Sequence, residues 1–489
     1  IGANCMTHPE KAPSSTLWTS SEAEKVTGGK STCDWFAIGV SIDTRTLKQG
    51  DLFIALEGDN GNGHDYLAQA FEKGASAAVV SQVSGDQDKS FPLLVVNDTF
   101  KAMQDLGQGA RDRTAAKVIA VTGSVGKTGT KEMLAAAFGK HGQTHAAIKS
   151  YNNHWGVPLT LSNMHAGTDY GVFEVGMNHP GEITPLSKQV KPDIAIITTV
   201  APVHVEHFEN GLEGIADAKA EIFDGLNSGG KALLNIDNEM FDRLSQKALA
   251  KDIDVVTFGK SEKADIRLME CLVASNGTRV KADIMGHKIA YTLSWSGEHI
   301  AMNSLAVLGA VKLSGCDIEK AARALENLTP PSGRGAREYL DIGDKDNPVT
   351  LIDESYNASP TAMKAAFKVL ALIDPGRGGR RIAILGDMLE LGKDSPKHHA
   401  DLAMPLRAAN VDLVYTCGKN MRNLFDAVPE QNRGAHKDTS MELAEIVPDV
   451  LVPGDVVMVK GSLGSKMNLV IETLRALPGK ISQDKTKKV

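Results

Sequence analysis

Short apolar runs recur along the chain and are separated by amphipathic stretches and turn residues. Runs rich in Val, Ile and Ala predict strands, and apolar residues spaced three and four apart between them predict helices. Buried strands that alternate with helices are typical of mostly parallel sheets covered on both faces. The pattern therefore predicts an α/β protein.

The first part of the chain forms one such unit. Predicted strands lie at 36–42, 52–56 and 77–80, and predicted helices at 66–73 and 99–112. The charged run 111–114 then leads into a new apolar strand, which places a domain boundary near residue 114. We predict a small N-terminal α/β domain at 16–114 and leave the polar residues 1–15 out of the fold.

Two further segments repeat the alternation, and Pro330-Pro331-Ser332-Gly333 forms a stiff, turn-forming linker between them. A β-rich insertion at 268–293 precedes two helices, at 301–313 and 318–328. The other predicted strands are 118–121, 172–175, 194–200, 232–236, 255–258, 349–352, 382–385, 413–416 and 456–459. We predict a central parallel-sheet domain at 115–329 and a C-terminal domain of Rossmann-like spacing at 330–489.

Length, charge and cysteine usage narrow the class of protein. The 489 residues suit three domains of about 150 residues each. A net charge of −7 gives no general attraction to a polyanion, so we expect no nucleic-acid partner. No apolar run approaches the roughly 18 residues that span a bilayer, and no signal sequence opens the chain. The scattered cysteines form no C-x-x-C pair, which favours a reducing compartment. We expect a cytoplasmic protein with no membrane insertion.

The strongest signal for chemistry is a glycine loop between a strand and a helix, at residues 118–128. Backbone N–H groups of such a loop bind phosphate oxygens, its lysine neutralises phosphate charge, and its last hydroxyl can ligate Mg²⁺. Only two residues separate the glycines here, whereas the usual nucleotide loop has four, so a plain turn with an exposed lysine is the alternative. The candidate residues are Thr122, Gly123, Ser124, Val125, Gly126, Lys127 and Thr128.

Candidate metal ligands follow the next strands. Glu174 ends an apolar strand, at the edge where open α/β sheets bind ligands, and its carboxylate can hold a metal ion. An ordinary glutamate at a strand end is the alternative. His204 and His207 suggest zinc, but no third ligand has the typical spacing.

These motifs, in their order and spacing, resemble the Mur ligases, in which the short glycine loop is a family trait. The resemblance extends over residues 36–475, and Ile300 departs from it where the family usually has Asn. The matching positions are the loop 123–128, Asn152-Asn153-His154-Trp155-Gly156, Glu174-Val175-Gly176-Met177-Asn178, His204, Lys219 and the run from Gly297 to Asn303. The resemblance implies an ATP-dependent ligase of peptidoglycan precursor synthesis, which activates a carboxylate as an acyl phosphate and joins it to an amine.

The resemblance also implies roles for individual residues. Catalytic roles fall to Lys127, His204 and Lys219. Two Mg²⁺ ions would be held by Thr128, Glu174, His204 and Lys219, with Lys219 carbamylated. Besides the loop, ATP would contact Asn303, Arg334 and Asp353. A UDP-sugar would contact Ser41, Asp43, Thr44, Arg45, His64, Asp65, Asn152 and Asn153. A dipeptide would contact Tyr356 and Asn357, which lie in a run (353–360) that resembles the family's D-x-x-Y-N-A-x-P loop.

Two features distinguish among family members. The D-N-P-R motif often found in the members that add a diamino acid is missing, because Asp346-Asn347-Pro348 is followed by Val349. The runs 353–360 and 385–392 look most like the member that adds D-alanyl-D-alanine. We therefore expect a monomer whose small-molecule substrates are ATP, UDP-N-acetylmuramoyl-tripeptide and D-alanyl-D-alanine. The alternatives are another Mur ligase, a ligase like folylpolyglutamate synthase, or a nucleotide-gated binding protein without ligase chemistry.

Overall fold

The computed structural model describes residues 15–58, 61–83, 91–203 and 205–477. Three main sheets follow one another along the chain, with helices on their faces, so the predicted three-part α/β architecture is confirmed. In chain order the strands are β1 (Trp18–Thr19), β2 (Lys30–Ser31), β3 (Phe36–Ala37), β4 (Gly39–Ser41), β5 (Asp51–Ile54), β6 (Glu57–Gly58), β7 (Gly61–Asn62), β8 (Ala77–Val80), β9 (Leu93–Val95), β10 (Lys117–Thr122), β11 (Thr144–Ala146), β12 (Tyr170–Glu174), β13 (Ile194–Ile197), β14 (Lys231–Asn235), β15 (Asp254–Gly259), β16 (Ile266–Ala274), β17 (Gly277–Ile284), β18 (His287–Leu293), β19 (Ala336–Leu340), β20 (Val349–Glu354), β21 (Arg381–Gly386), β22 (Leu413–Cys417), β23 (Arg433–Lys437) and β24 (Val456–Lys460).

The α-helices alternate with these strands. In chain order they are α1 (Ser20–Thr27), α2 (Leu67–Glu72), α3 (Thr99–Asp112), α4 (Lys127–Phe138), α5 (Gly156–Ser162), α6 (Ile183–Val190), α7 (Gly211–Ala220), α8 (Phe241–Leu249), α9 (Glu298–Leu313), α10 (Ile318–Leu325), α11 (Pro360–Ala371), α12 (Ser395–Ala400), α13 (Ala403–Ala408), α14 (Met421–Ala427), α15 (Ser440–Ile446) and α16 (Asn468–Arg475).

The sheets are mostly parallel, as the buried apolar runs predict. The first has five strands in the order β2-β9-β8-β5-β4, with only β2 antiparallel. The central sheet has nine, in the order β11-β12-β10-β13-β14-β15-β16-β17-β18. Its last two strands are antiparallel and, together with β16, form the predicted β insertion. The third has six, in the order β19-β20-β24-β21-β22-β23, with β19 antiparallel.

Apolar side chains cover both faces of each main sheet. The first and central sheets share one continuous core, in which Trp18 and Leu52 belong to the same buried cluster as Phe173 and Ile215. The C-terminal sheet has a separate core on each face. The first domain is therefore packed on the central one through apolar burial, the largest favourable term in folding.

Strand register explains where a site forms. Val121 of β10 pairs with Glu174 of β12, and Thr122 pairs with Ile197 of β13. The carboxyl ends of three neighbouring parallel strands therefore meet at one edge, beside the start of α4. Open α/β sheets bind their ligands at such an edge.

Within the described ranges, no helix is long and apolar enough to cross a membrane. Cys33 is disulfide-bonded, so the expectation of reduced cysteines is wrong at that position, whereas Cys271, Cys316 and Cys417 are free.

After the linker, the Arg337 guanidinium donates hydrogen bonds to the carbonyl of Ser275 and to the Ser296 hydroxyl, which ties β19 to the central domain.

Candidate active site

The glycine loop has the geometry of a phosphate cradle. Helix α4 begins at Lys127, because Gly126 takes a left-handed conformation (φ 89°) and turns the chain into the helix. The first N–H groups of a helix have no intrahelical acceptor. The loop therefore presents free donors at the positive end of the α4 dipole, which suits an anion.

Neighbouring side chains leave no room for a Cβ in this loop. An added Cβ would lie 1.9 Å from Oγ1 of Thr198 at Gly123, and 2.6 Å from Nδ2 of Asn303 at Gly126. Thr198 also donates to the Val125 carbonyl at 2.7 Å. Asn303, predicted from the resemblance, therefore lies directly against the loop, whereas Thr198 was not predicted.

Two of the predicted loop residues, Thr122 and Ser124, have buried side chains. The Thr122 side chain is fully buried, and its hydroxyl has no hydrogen-bond partner in the part of the chain that the structure describes. The Ser124 hydroxyl donates to the Ala201 carbonyl at 2.9 Å, and the Ser124 amide donates to the Thr199 carbonyl at 2.8 Å. The Ser124 side chain therefore anchors the loop to the segment at residues 199–201.

Glu174 is at the centre of the site. Its carboxylate is 1% exposed. The Thr128 hydroxyl donates to Oε2 at 2.9 Å, and the Asn152 amide donates to Oε1 at 2.6 Å. The Ser150 hydroxyl lies 3.1 Å from that of Thr128. The cluster combines a carboxylate with hydroxyl and amide oxygens, which are ligand types that Mg²⁺ accepts.

Lys127 lies near this carboxylate, and Arg334 lies near Lys127. Lys127 donates to the Gly123 carbonyl at 2.8 Å. Burial and the nearby Arg334 guanidinium lower the pKa of Lys127, while Glu174 opposes that shift. Arg334 comes from the C-terminal part of the chain and stacks over the Tyr356 ring at 4.3 Å. Positive charge from two domains thus converges on the edge where phosphates are expected.

Lys219 is buried near the same edge. It is 3% exposed, and its amine has no hydrogen bond or ion pair with any residue of the described ranges. Burial, followed by repulsion from Lys127, lowers the pKa of Lys219 well below its usual range. A lowered pKa favours the neutral amine, which is the nucleophilic form of lysine.

The predicted histidine ligand, His204, lies outside the described residues. His207 is described, and its ring packs 4.5 Å from that of His179. No group of three or more His, Cys, Asp or Glu side chains is arranged to hold a metal ion in the described part of the chain. The zinc alternative gains no support from these residues.

The C-terminal residues form a second cluster. Asp353 is buried and accepts hydrogen bonds within its own domain, from the Ser355 hydroxyl at 2.6 Å and from Arg475 at 3.2 Å. Asn357 is exposed and follows Tyr356 on the loop. Lys460, which was not predicted as a site residue, donates from a buried position to Glu354 at 2.8 Å and to the Asn357 carbonyl at 3.0 Å. Lys460 thus ties down the loop that carries Tyr356 and Asn357.

The candidate UDP-sugar residues of the first domain are grouped around two turns. Arg45 pairs with Asp43 at 2.7 Å, with side chains 86% and 30% exposed. This hydrogen bond is the largest cause that lowers the pKa of Asp43, and the charge of Lys149 in the central domain adds to it. The Ser41 hydroxyl donates to the Asp43 carbonyl, and the Thr44 hydroxyl to Gln69. The turn at 41–45 therefore faces the central domain.

The remaining candidates are placed differently. The His64 ring is held by Asn62 and by the amide of Ser81, next to the exposed Asp65. The Asn153 side chain accepts from the amide of Gly156, the first residue of α5, at 2.9 Å. Asn152 contacts Glu174 rather than the first domain.

Comparisons with known proteins agree with this geometry. Three family models match: the Mur ligase family catalytic domain at residues 38–113, the Mur ligase middle domain at 121–311, and the Mur ligase glutamate ligase domain at 340–463. Together they span most of the chain, and the resemblance stated from the motifs is confirmed.

Individual relatives and a solved structure give the same result. UDP-N-acetylmuramoyl-tripeptide–D-alanyl-D-alanine ligases from Rickettsia prowazekii and Escherichia coli are each 33% identical, over 88% and 89% of this chain and 94% and 93% of their own length. A crystal structure of MurF from Acinetobacter baumannii is 27% identical, with a TM-score of 0.80 over 94% of this chain and 98% of that one.

Proposed function

Because this chain belongs to the Mur ligase family, we propose that it joins D-alanyl-D-alanine to UDP-N-acetylmuramoyl-tripeptide in peptidoglycan synthesis, with conversion of ATP to ADP and phosphate. The names of relatives that match nearly end to end support this choice of substrates. The single observation that carries the proposal is the contact between the Glu174 carboxylate and Thr128 of the phosphate loop.

The reaction needs an activated carboxylate, because a free carboxylate is a poor electrophile. An oxygen of the tripeptide carboxylate attacks the γ-phosphorus, the bond to the β-phosphate oxygen breaks, and ADP leaves. The D-alanyl-D-alanine amine then attacks the acyl phosphate, loses a proton and expels phosphate. Both partners of the first step are anions, so Lys127 and Arg334 would lower their repulsion and orient the phosphates.

The donor set around Glu174 fits Mg²⁺. Among the described residues, its carboxylate accepts hydrogen bonds from two neutral donors, Thr128 and Asn152. Glu174, Thr128 and, from the resemblance, His204 and Lys219 would hold two ions. Bound Mg²⁺ neutralises phosphate charge during transfer.

Carbamylation of Lys219 is part of the proposal. A neutral amine adds to CO₂, forms an N–C bond and releases a proton, which turns a buried cation into a carboxylate. The depressed pKa and the unpaired, buried position of Lys219 favour that reaction. The carbamate would supply the metal ligand that the described residues otherwise lack.

The three domains suit three substrates. We propose that residues 16–114 bind the UDP-sugar, 115–329 ATP, and the part from 330 onward the dipeptide through Tyr356 and Asn357. Asp353 and Arg334 would contact ATP after domain closure about the linker at 330–333, which excludes water from the acyl phosphate. We further propose a monomer, because one chain supplies all these residues, and a cytoplasmic place of action, because the reaction consumes ATP.

Phosphate release with matched substrate pairs tests the proposed function. Wild-type protein is given Mg-ATP, UDP-N-acetylmuramoyl-tripeptide and one amine: D-alanyl-D-alanine, a diamino acid or glutamate. We expect release only with D-alanyl-D-alanine. Release with a diamino acid or glutamate would favour a sister ligase, and ATP binding without release in any mixture would favour a nucleotide-gated binding protein.

A further inference from the structure

Lys131, on the second turn of α4, is a fully buried lysine that the proposed reaction does not use. Its side chain is 0% exposed. The ammonium donates to the Ala147 carbonyl at 2.6 Å, lies 3.5 Å from the Lys149 carbonyl, and pairs with Oε1 of Glu132 at 2.6 Å. The ammonium therefore has two backbone acceptors and one ion-pair partner.

A charge in this position is expensive for the fold. Removing an ammonium from water costs several kcal/mol unless good hydrogen bonds replace its hydration. An apolar side chain of similar length fills the same space without that cost. The charged group of Lys131 is therefore explained by its hydrogen bonds to the backbone of residues 147–149.

The segment that Lys131 holds continues directly into the site. Its next residue, Ser150, has its hydroxyl 3.1 Å from that of Thr128. Two residues later, the Asn152 amide donates to Glu174 at 2.6 Å, and the Asn152 carbonyl accepts from the Gly176 amide at 2.7 Å. A shift of the backbone at 147–149 would therefore move both neutral partners of the Thr128–Glu174 pair.

We propose that Lys131 is a positioning residue, which fixes residues 147–152 and thereby sets the distance of Ser150 and Asn152 from Thr128 and Glu174. Its effect falls on the binding of magnesium-bound ATP and not on the dipeptide. The assignment rests on the proposed function for the identity of the ligand. Lys131 itself does not touch the substrates.

The test compares Lys131→Met with wild type in the full-length protein. Met keeps the length and removes the charge, while Lys140→Met, at an exposed position just beyond the same helix, is the matched control. Titration calorimetry measures the affinity for ATP in a series of Mg²⁺ concentrations, and phosphate-release assays measure KM for each substrate. We expect Lys131→Met to raise the half-saturating Mg²⁺ concentration on the order of tenfold, the effect of one lost hydrogen bond to a charged group. KM for D-alanyl-D-alanine should stay within about twofold.

Each outcome of this comparison either supports or overturns the role of Lys131. A wild-type Mg²⁺ requirement in folded Lys131→Met overturns the assignment, and so does an equal rise in KM for all three substrates, because a general loss of structure would cause that. If Lys131→Met does not fold, Glu132→Gln decides: it weakens one of the three contacts and should raise the Mg²⁺ requirement about threefold, and no change overturns the assignment. If wild type releases no phosphate with D-alanyl-D-alanine, the proposed function fails, while the calorimetric comparison still decides the role of Lys131.

Discussion

The Thr128 hydroxyl donates a 2.9 Å hydrogen bond to Oε2 of Glu174, so the phosphate loop and the strand beside it meet in one buried contact. Pairing of Val121 with Glu174 fixes that contact, because it sets the register of β10 and β12. A nucleotide on the loop would therefore have a carboxylate available for its cation. The proposed ligase chemistry depends on this juxtaposition.

Replacement of Glu174 by Gln tests the need for the negative charge. The amide keeps the size of the side chain but cannot neutralise a cation, so we expect kcat to fall by roughly 100-fold or more, as for the loss of an electrostatic contact at a reacting group. Thermal unfolding should change little, because the amide oxygen still accepts from Asn152 and the Thr128 hydroxyl can rotate to accept from the new NH2 group. Phosphate-release rates within threefold of wild type would contradict a metal role for Glu174.

Replacement of Gly126 by Ala tests the loop. The new Cβ would meet Asn303 at 2.6 Å, and φ is +89°. Gly181→Ala is the matched control, because φ there is +87° and nothing lies within 4 Å. Left-handed backbone alone costs about 1–2 kcal/mol. We expect both variants to lose thermal stability, Gly126→Ala by more because of the contact with Asn303. Only Gly126→Ala should lose ATP affinity, by about tenfold or more in calorimetry. Equal ATP affinity in the two variants would contradict the cradle.

The dependence of activity on bicarbonate tests whether Lys219 is carbamylated. The buried, unpaired amine should add CO₂, so wild-type activity should fall in CO₂-depleted buffer and return when bicarbonate is added. Lys219→Ala should lose turnover by about 100-fold or more, and bicarbonate should not restore it. Wild-type activity that is independent of bicarbonate, or an active Lys219→Ala, would show that no carbamate is needed.

The pH dependence of thermal stability tests the role of the buried His399 in the C-terminal domain. The His399 ring is fully buried, accepts from the Met388 amide at 2.9 Å and donates to the Ser395 carbonyl at 2.7 Å. Burial lowers the pKa of His399; its bond to Ser395 and the nearby Asp387 oppose the shift, and His398 adds to it. Because the folded pKa lies below the unfolded one, the unfolded chain binds the extra proton first.

Stability should therefore fall as pH drops from about 6.5, the ordinary value for histidine, toward the folded pKa. We expect the thermal midpoint of wild type to fall between pH 7.5 and pH 5.5, and this fall to be smaller in His399→Gln. His398→Gln, on the partly exposed neighbour, should behave like wild type. An identical pH dependence of the thermal midpoint in all three proteins would contradict a lowered pKa of His399 in the folded protein.

Much of the fold follows from local patterns. The strands 77–80 and the helix 99–112 are as predicted, because β-branched runs and regular amphipathic spacing leave little ambiguity. The strand β19 was not predicted. Its sequence, Ala336–Leu340, mixes charges with the exposed Tyr339, and it forms only because β20 supplies antiparallel partners at the sheet edge.

The residues of the site also differ in whether the sequence alone predicts them. The glycine loop and Glu174 stand out because their residue types are tied to strand ends. Ser150, Thr198, Lys131 and Lys460 have no such signal, since a lone serine, threonine or lysine is most often on the surface. Only the packing of distant segments shows that Ser150 and Thr198 contact the glycine loop and its helix start. The same holds for Lys131, which contacts the backbone of residues 147–149, and for Lys460, which holds the loop that carries Tyr356 and Asn357.

The central claim, activation of a carboxylate by phosphoryl transfer, has one direct measurement. The tripeptide carboxylate is labelled with ¹⁸O in both oxygens, turnover is run with ATP and D-alanyl-D-alanine, and the released phosphate is analysed by mass spectrometry. An acyl phosphate leaves one ¹⁸O in each phosphate and one in the new amide carbonyl. Phosphate without ¹⁸O, formed at the same rate as the amide, would contradict the proposed reaction.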